Sequence, residues 1–134
     1  MSKKSAALLA AGWGGDRVTL FRKTPGRAGS GPTESGTSLA VAWRVRFDRG
    51  PGQDTDAEGR EAFKTLAAAF PAATATASSL CVERASLGPL AIARSGRDLV
   101  IVGGPYRRTG NRVVPDALCT QSVRWAADVL SKSK

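Results

Sequence analysis

Three strand-like runs lie so close together that they constrain the fold of this chain more than any other feature. Ser79 to Ala85, Leu90 to Arg94 and Asp98 to Val102 are separated only by Ser-Leu-Gly-Pro and Ser-Gly-Arg. Gaps of that length suit hairpin turns, whereas a parallel crossover needs about a dozen residues or more. An antiparallel sheet is therefore expected. Ser38 to Phe47 supplies the clearest strand, with Leu39, Val41, Trp43, Val45 and Phe47 on one face and Arg44 and Arg46 on the other. The first face reads as core and the second as wet and basic. Arg17 to Arg22 reads as a further strand, in which Val18 and Leu20 alternate with Thr19 and Phe21.

Helical periodicity flanks these strands. Thr55-Asp-Ala-Glu58 has capping-box spacing, and Ala62, Phe63, Leu66, Ala67 and Phe70 follow at helical intervals up to Pro71. Pro115 and Asp116 open a last helix whose stripe is Leu118, Ser122, Trp125, Ala126, Val129 and Leu130. A short helix is expected over Lys4 to Ala11, stopped by Gly12, with Trp13 as a core plug and Gly14 and Gly15 allowing a sharp reversal into the first strand. Residues 23–37 carry six Gly or Pro and read as a loop. Residues 1–134 thus form one α+β domain, an antiparallel sheet of about five strands with the helices packed on one face. The opposite face, carrying Arg44 and Arg46, is expected to stay open.

Twenty Lys and Arg against eleven Asp and Glu give a net charge of +9 at pH 7, which favours an acidic partner. Histidine is absent. Its absence removes Ser-His-Asp and Cys-His chemistry, histidine metal ligands and the side chain best matched to proton transfer near neutral pH. Cys81 and Cys119 lack metal-type spacing and sit in apolar patterns, which suggests reduced, packed thiols and a cytoplasmic protein. The apolar stretch over residues 6–11 is too short for a signal core, and no run approaches a membrane span of about 20 apolar residues. Neither a metal nor a cofactor is expected, and no catalytic residue can be assigned. Asp54, Asp56 and Glu58 read as capping and surface groups rather than as Mg²⁺ ligands.

The residues left as binding candidates are Asp16, Arg17, Arg44, Arg46, Tyr106, Arg107 and Arg108. Tyr106 with Arg107 and Arg108, after Gly103-Gly104-Pro105, sets an aromatic ring beside two guanidinium groups, a pairing suited to phosphate, carboxylate or peptide contacts. A solvated turn is the plainer reading of that segment. Gly12-Trp13-Gly14-Gly15 contains G-x-G but follows a helix and precedes a strand, the reverse of a dinucleotide fingerprint. A pocket uniting Asp16, Arg17, Tyr106 and Arg107 would mark a peptide site, whereas local pairing of Asp16 and Arg17 would make them structural.

Several segments together carry a resemblance: Ala10-Ala-Gly-Trp-Gly-Gly-Asp-Arg17, the aromatic strand closing in Phe47-Asp48, Asp56-Ala-Glu with Phe63, and Gly96-Arg-Asp-Leu-Val-Ile-Val102. Over most of its length the chain resembles the C-terminal domain of bacterial secreted metallopeptidase-like proteins, in which an upstream domain carries the HExxH zinc motif. Nothing here matches the zinc helix, so the resemblance implies fold and ancestry without proteolysis. A less specific similarity, to small proteins of crocagin-type pathways for ribosomally made, modified peptides, implies binding of an acidic precursor peptide and a part in modifying or cyclising it. The alternatives are a non-catalytic module that docks on a partner biosynthetic enzyme or on a second copy of itself, and, more weakly, a basic nucleic-acid binder.

Overall fold

A computed structural model of the chain describes residues 3, 13–23, 38–49, 52–84, 87–115 and 118–132. The expected helix over Lys4 to Ala11, most of the loop 23–37, Asp116 and the Trp13 side chain lie outside the described residues. The elements in chain order are β1 (Trp13–Lys23), β2 (Ser38–Phe47), α1 (Ala57–Ala69), β3 (Thr74–Ala75), β4 (Ser79–Arg84), β5 (Gly88–Ser95), β6 (Asp98–Thr109), β7 (Arg112–Pro115) and α2 (Cys119–Lys132). The strands form one antiparallel sheet in the order β1-β2-β6-β5-β4-β3, with β7 paired to the far end of β6. The α+β class holds, with seven strands among the described residues where about five were expected.

The two described helices lie on opposite faces of the sheet, not on one. Cross-strand register places Ala42, Val102, Ala91 and Cys81 in a single row, and Trp43, Ile101, Ile92 and Leu80 in the next row, which faces the other way. The first face, completed by Ala93 and Val100, packs against Ala126, Val123, Trp125 and Val129 of α2. The second, with Val45, Phe47 and Leu99, packs against Ala62, Phe63 and Leu66 of α1. Small side chains predominate on the α2 face and admit that helix close to the strands, while the α1 face is built of larger aliphatic and aromatic groups.

Four local expectations are corrected. The pair Gly14-Gly15 does not reverse the chain: β1 runs through it with a register shift between Trp13 and Gly15, a bulge at which Gly15 has φ +146°. A Cβ on Gly14 would come 2.8 Å from Asp48 Oδ1, the movable end of an exposed side chain, and 3.2 Å from the Arg46 carbonyl oxygen, so the bulge lies tight against the backbone of β2. Gly103-Gly104-Pro105 is likewise no turn. It is a bulge inside β6, where the pairing with β2 shifts between Leu39 and Val41, and the Gly104-Pro105 peptide is cis. The capping box does not form either: Asp56 is the N-cap residue without a side-chain cap bond, and Thr55 Oγ1 donates instead to Asp56 Oδ1. With Asp56 in that place Glu58 falls one position short of the box. Finally, Pro115 ends β7, and the last helix begins at Cys119.

The cysteines are not free thiols. Cys81 and Cys119 form a disulfide with a Cα–Cα distance of 5.7 Å, tying β4 to the first residue of α2. Two apolar cysteine environments far apart in sequence meet because α2 returns over β4.

Candidate cleft and arginine cluster on the α2 face

Among the described residues β1 is the outermost strand of the sheet on one side, and α2 packs over β4, β5 and β6 rather than over it. Of the two described helices, neither therefore fully covers the α2 face of β1 and β2. A cleft of about 380 Å³ opens there, floored by Arg17, Thr19, Ala42 and Val102 and walled by Trp125, Asp128, Val129 and Lys132 of α2. Its apolar patches come from Ala42, Val102, Trp125 and Val129; cations stand at Arg17 and Lys132, and a carboxylate at Asp128. Such a mixture of apolar lining and few polar groups is characteristic of ligand clefts.

Beside this cleft, on the same sheet face, register sets Arg17 opposite Arg44 and Arg46 opposite Asp98. Asp98 is 8% exposed. Its Oδ1 accepts from Arg46 Nε at 2.8 Å and its Oδ2 from Arg46 Nη2 at 2.9 Å and from Arg44 Nη2. These bonds, the Arg46 pair first, hold the Asp98 carboxyl below its ordinary pKa against the opposing effect of burial, and Arg46 is correspondingly raised. Arg44 Nη1 is buried with no hydrogen-bond partner among the described residues.

The candidate residues do not share one pocket. Arg17 lines the cleft and Arg44 and Arg46 adjoin it, on the face opposite Trp43 as the alternation in β2 requires. That face is not open throughout, because α2 covers part of it and Asp98 engages both arginines. Asp16 points to the other face, where Oδ2 accepts from Trp43 Nε1 at 3.0 Å. Tyr106 Oη donates to the Leu87 carbonyl at 2.9 Å and receives Arg84 Nη2 at 3.4 Å, so this phenol clamps the β4–β5 connection. Arg107 and Arg108 are exposed on the β6–β7 hairpin, where Arg108 Nε donates to the Gly110 carbonyl. They sit roughly 15 Å along β6 from the cleft.

The sequence reading missed the α2 wall. Trp125 and Val129 stood in the helical stripe as core, and Asp128 and Lys132 carried only the weak signal of an i, i+4 charge pair at the margin of that stripe. The cysteines are consumed by the disulfide, and among the described residues no group of three His, Cys, Asp or Glu comes together as a metal site. Also among the described residues, no helix is long and apolar enough to cross a membrane.

A family model described as a domain of unknown function, DUF8575, matches residues 2–114. Neither the curated proteins nor the solved structures contain a match.

Proposed function

The chain belongs to the DUF8575 family, whose description assigns no activity, and from the cleft we propose that it is a peptide-binding protein that holds an extended acidic segment along β1. The observation that carries this reading is the position of an amphipathic cleft next to the outermost strand. A strand added beside β1 would gain main-chain hydrogen bonds and direct alternate side chains toward Arg17, Thr19 and the α2 wall. A net charge of +9 favours an acidic segment. The wider role, presenting a precursor peptide for modification or cyclisation during biosynthesis of a ribosomally made peptide, rests on the resemblance in sequence. The cytoplasmic expectation draws both on the short apolar stretch over residues 6–11 and on reduced thiols; the second ground falls, because Cys81 and Cys119 are joined, and a disulfide favours an oxidising compartment.

The test is an anisotropy titration with a labelled, amidated peptide of about twelve residues alternating Glu and Val, a length that matches β1. Saturable binding is expected, weakened about tenfold by Trp125→Ala, with melting measured in parallel to exclude unfolding. Absence of saturable binding, or equal binding of the Lys/Val counterpart, overturns the reading.

A second reading has its own observation. Val18 and Leu20 are each 63% exposed, and Leu39 and Val41 each 40% exposed, on β1 and β2. An apolar strip of this kind favours a module that docks on a partner protein or a second copy. Concentration-dependent sedimentation that Leu20→Lys abolishes would support it.

A further inference from the structure

The guanidinium groups beside the cleft outnumber the carboxylate that binds them. Arg17, Arg44 and Arg46 lie on one sheet face with Asp98, and three cations against one anion leave two positive charges. Asp128 and Lys132 on the helical wall carry one charge of each sign and do not alter the surplus. Arg17 and Arg44 stand directly opposite each other in the β1–β2 ladder, where like charges repel. Asp98 engages Arg44 through Nη2 alone and takes its bidentate contact from Arg46, so the second amino group of Arg44, Nη1, is buried without a hydrogen-bond partner among the described residues. A buried donor on a charged group is costly to leave unsatisfied, and a carboxylate placed between two guanidinium groups removes both that cost and the repulsion.

We propose that Arg17 and Arg44 Nη1 form a carboxylate-binding subsite at the edge of the cleft, which receives an acidic side chain of the bound peptide. The subsite deepens the peptide-binding reading and rests on it for the identity of the ligand, while the recognition of a carboxylate by the two arginines is testable without a peptide. Arg46 is the structural member of the cluster, since its fork is filled by Asp98. Arg17, exposed and lining the cleft, is the member that meets the ligand first.

The experiment has two arms. In the first, citrate is titrated into the full chain, and the side-chain Nε–Hε resonances of the arginines are followed by NMR. Saturable shifts confined to Arg17 and Arg44 are expected, lost in Arg17→Gln and kept in Arg112→Gln, which removes the same charge from an exposed site on β7. Shifts that grow linearly and spread over all arginines, or that survive Arg17→Gln, overturn the subsite. In the second arm the Glu/Val peptide is compared with its Gln/Val counterpart. The expected result is that Arg17→Gln weakens the Glu/Val peptide about tenfold and leaves the Gln/Val peptide unchanged, with Arg112→Gln changing either by less than about twofold. Equal losses in the two variants would reduce the effect to net charge and overturn the subsite. Citrate binding without peptide binding would sink the peptide reading and leave the subsite standing.

Discussion

At the scale of single residues, Asp98 carries more of the electrostatic organisation than any other described group. It is nearly buried, it accepts three charge-assisted hydrogen bonds, and its carboxyl is held below its ordinary pKa chiefly by Arg46. Because the folded-state pKa is depressed, the stabilisation is fully present above the unfolded carboxylate value of about 3.9 and is lost as pH falls through the lower folded value. Asp98→Asn should therefore lower stability at neutral pH by about 2 kcal/mol, chiefly because it takes the carboxylate away from the part-buried Arg44 while the exposed Arg46 stays hydrated, and should shrink the loss of stability on acidification below about pH 4. Urea denaturation of both proteins at pH 7 and near pH 3 checks this; a constant difference between them across that range would refute the assignment. The sequence placed Arg44 and Arg46 on the face opposite Trp43 correctly, because side-chain alternation is a local property of a strand. Their partner was out of reach, because the pairing of residue 46 with residue 98 depends on a register that no local pattern encodes.

At the scale of elements, the disposition of the two helices was written in β4, β5 and β6 in a form the alternation argument did not use. Leu80-Cys81-Val82, Leu90-Ala91-Ile92-Ala93 and Leu99-Val100-Ile101-Val102 are unbroken apolar runs, the pattern of strands covered on both faces. β2, by contrast, is alternating in sequence, yet it is buried on both faces at different points, with Ala42 in the core under α2 and Val45 and Phe47 in the core under α1. The seating of α1 explains an exception to helix propensity. Gly59 lies in its first turn, and a Cβ there would stand 2.7 Å from the Gly96 carbonyl oxygen and 3.1 Å from the Arg97 Cα, both backbone atoms of the β5–β6 turn. In an exposed helix Gly→Ala would stabilise by about 1 kcal/mol. Gly59→Ala should instead destabilise, by about 1–3 kcal/mol, as the helix is pushed off the sheet. A raised melting temperature in that variant would show that α1 sits farther from the turn. Phe63→Ala, removing a 5% exposed ring from the α1 core, should cost about 3–5 kcal/mol by the same measurement.

At the scale of the whole molecule, the disulfide joins what the sheet alone holds by packing. The bond spans 38 residues and fixes the start of α2 to β4, so it anchors the helix that walls the cleft. Both cysteines sit in apolar patterns that describe packed thiols equally well, which is why their pairing was not legible: it follows from the return of α2 across the sheet and not from cysteine spacing. Constraint of the unfolded chain over a loop of that length is worth about 4 kcal/mol in the chain-entropy model, and native disulfides in small domains range over about 2–5 kcal/mol. The double variant Cys81→Ala, Cys119→Ala should therefore lose stability in that range. The loss should be distributed unevenly, because the α1 face has its own core of Phe47, Phe63, Leu80, Ile92 and Leu99, untouched by the bond. Amide hydrogen exchange separates the two levels. Protection in α2 should fall further than protection in β5 and β6, and binding of the Glu/Val peptide should weaken with it, since Trp125, Asp128, Val129 and Lys132 all belong to the loosened helix. Uniform loss of protection across both helices would mean that the bond stabilises the domain only through the unfolded state, and that the cleft wall is held in place by packing.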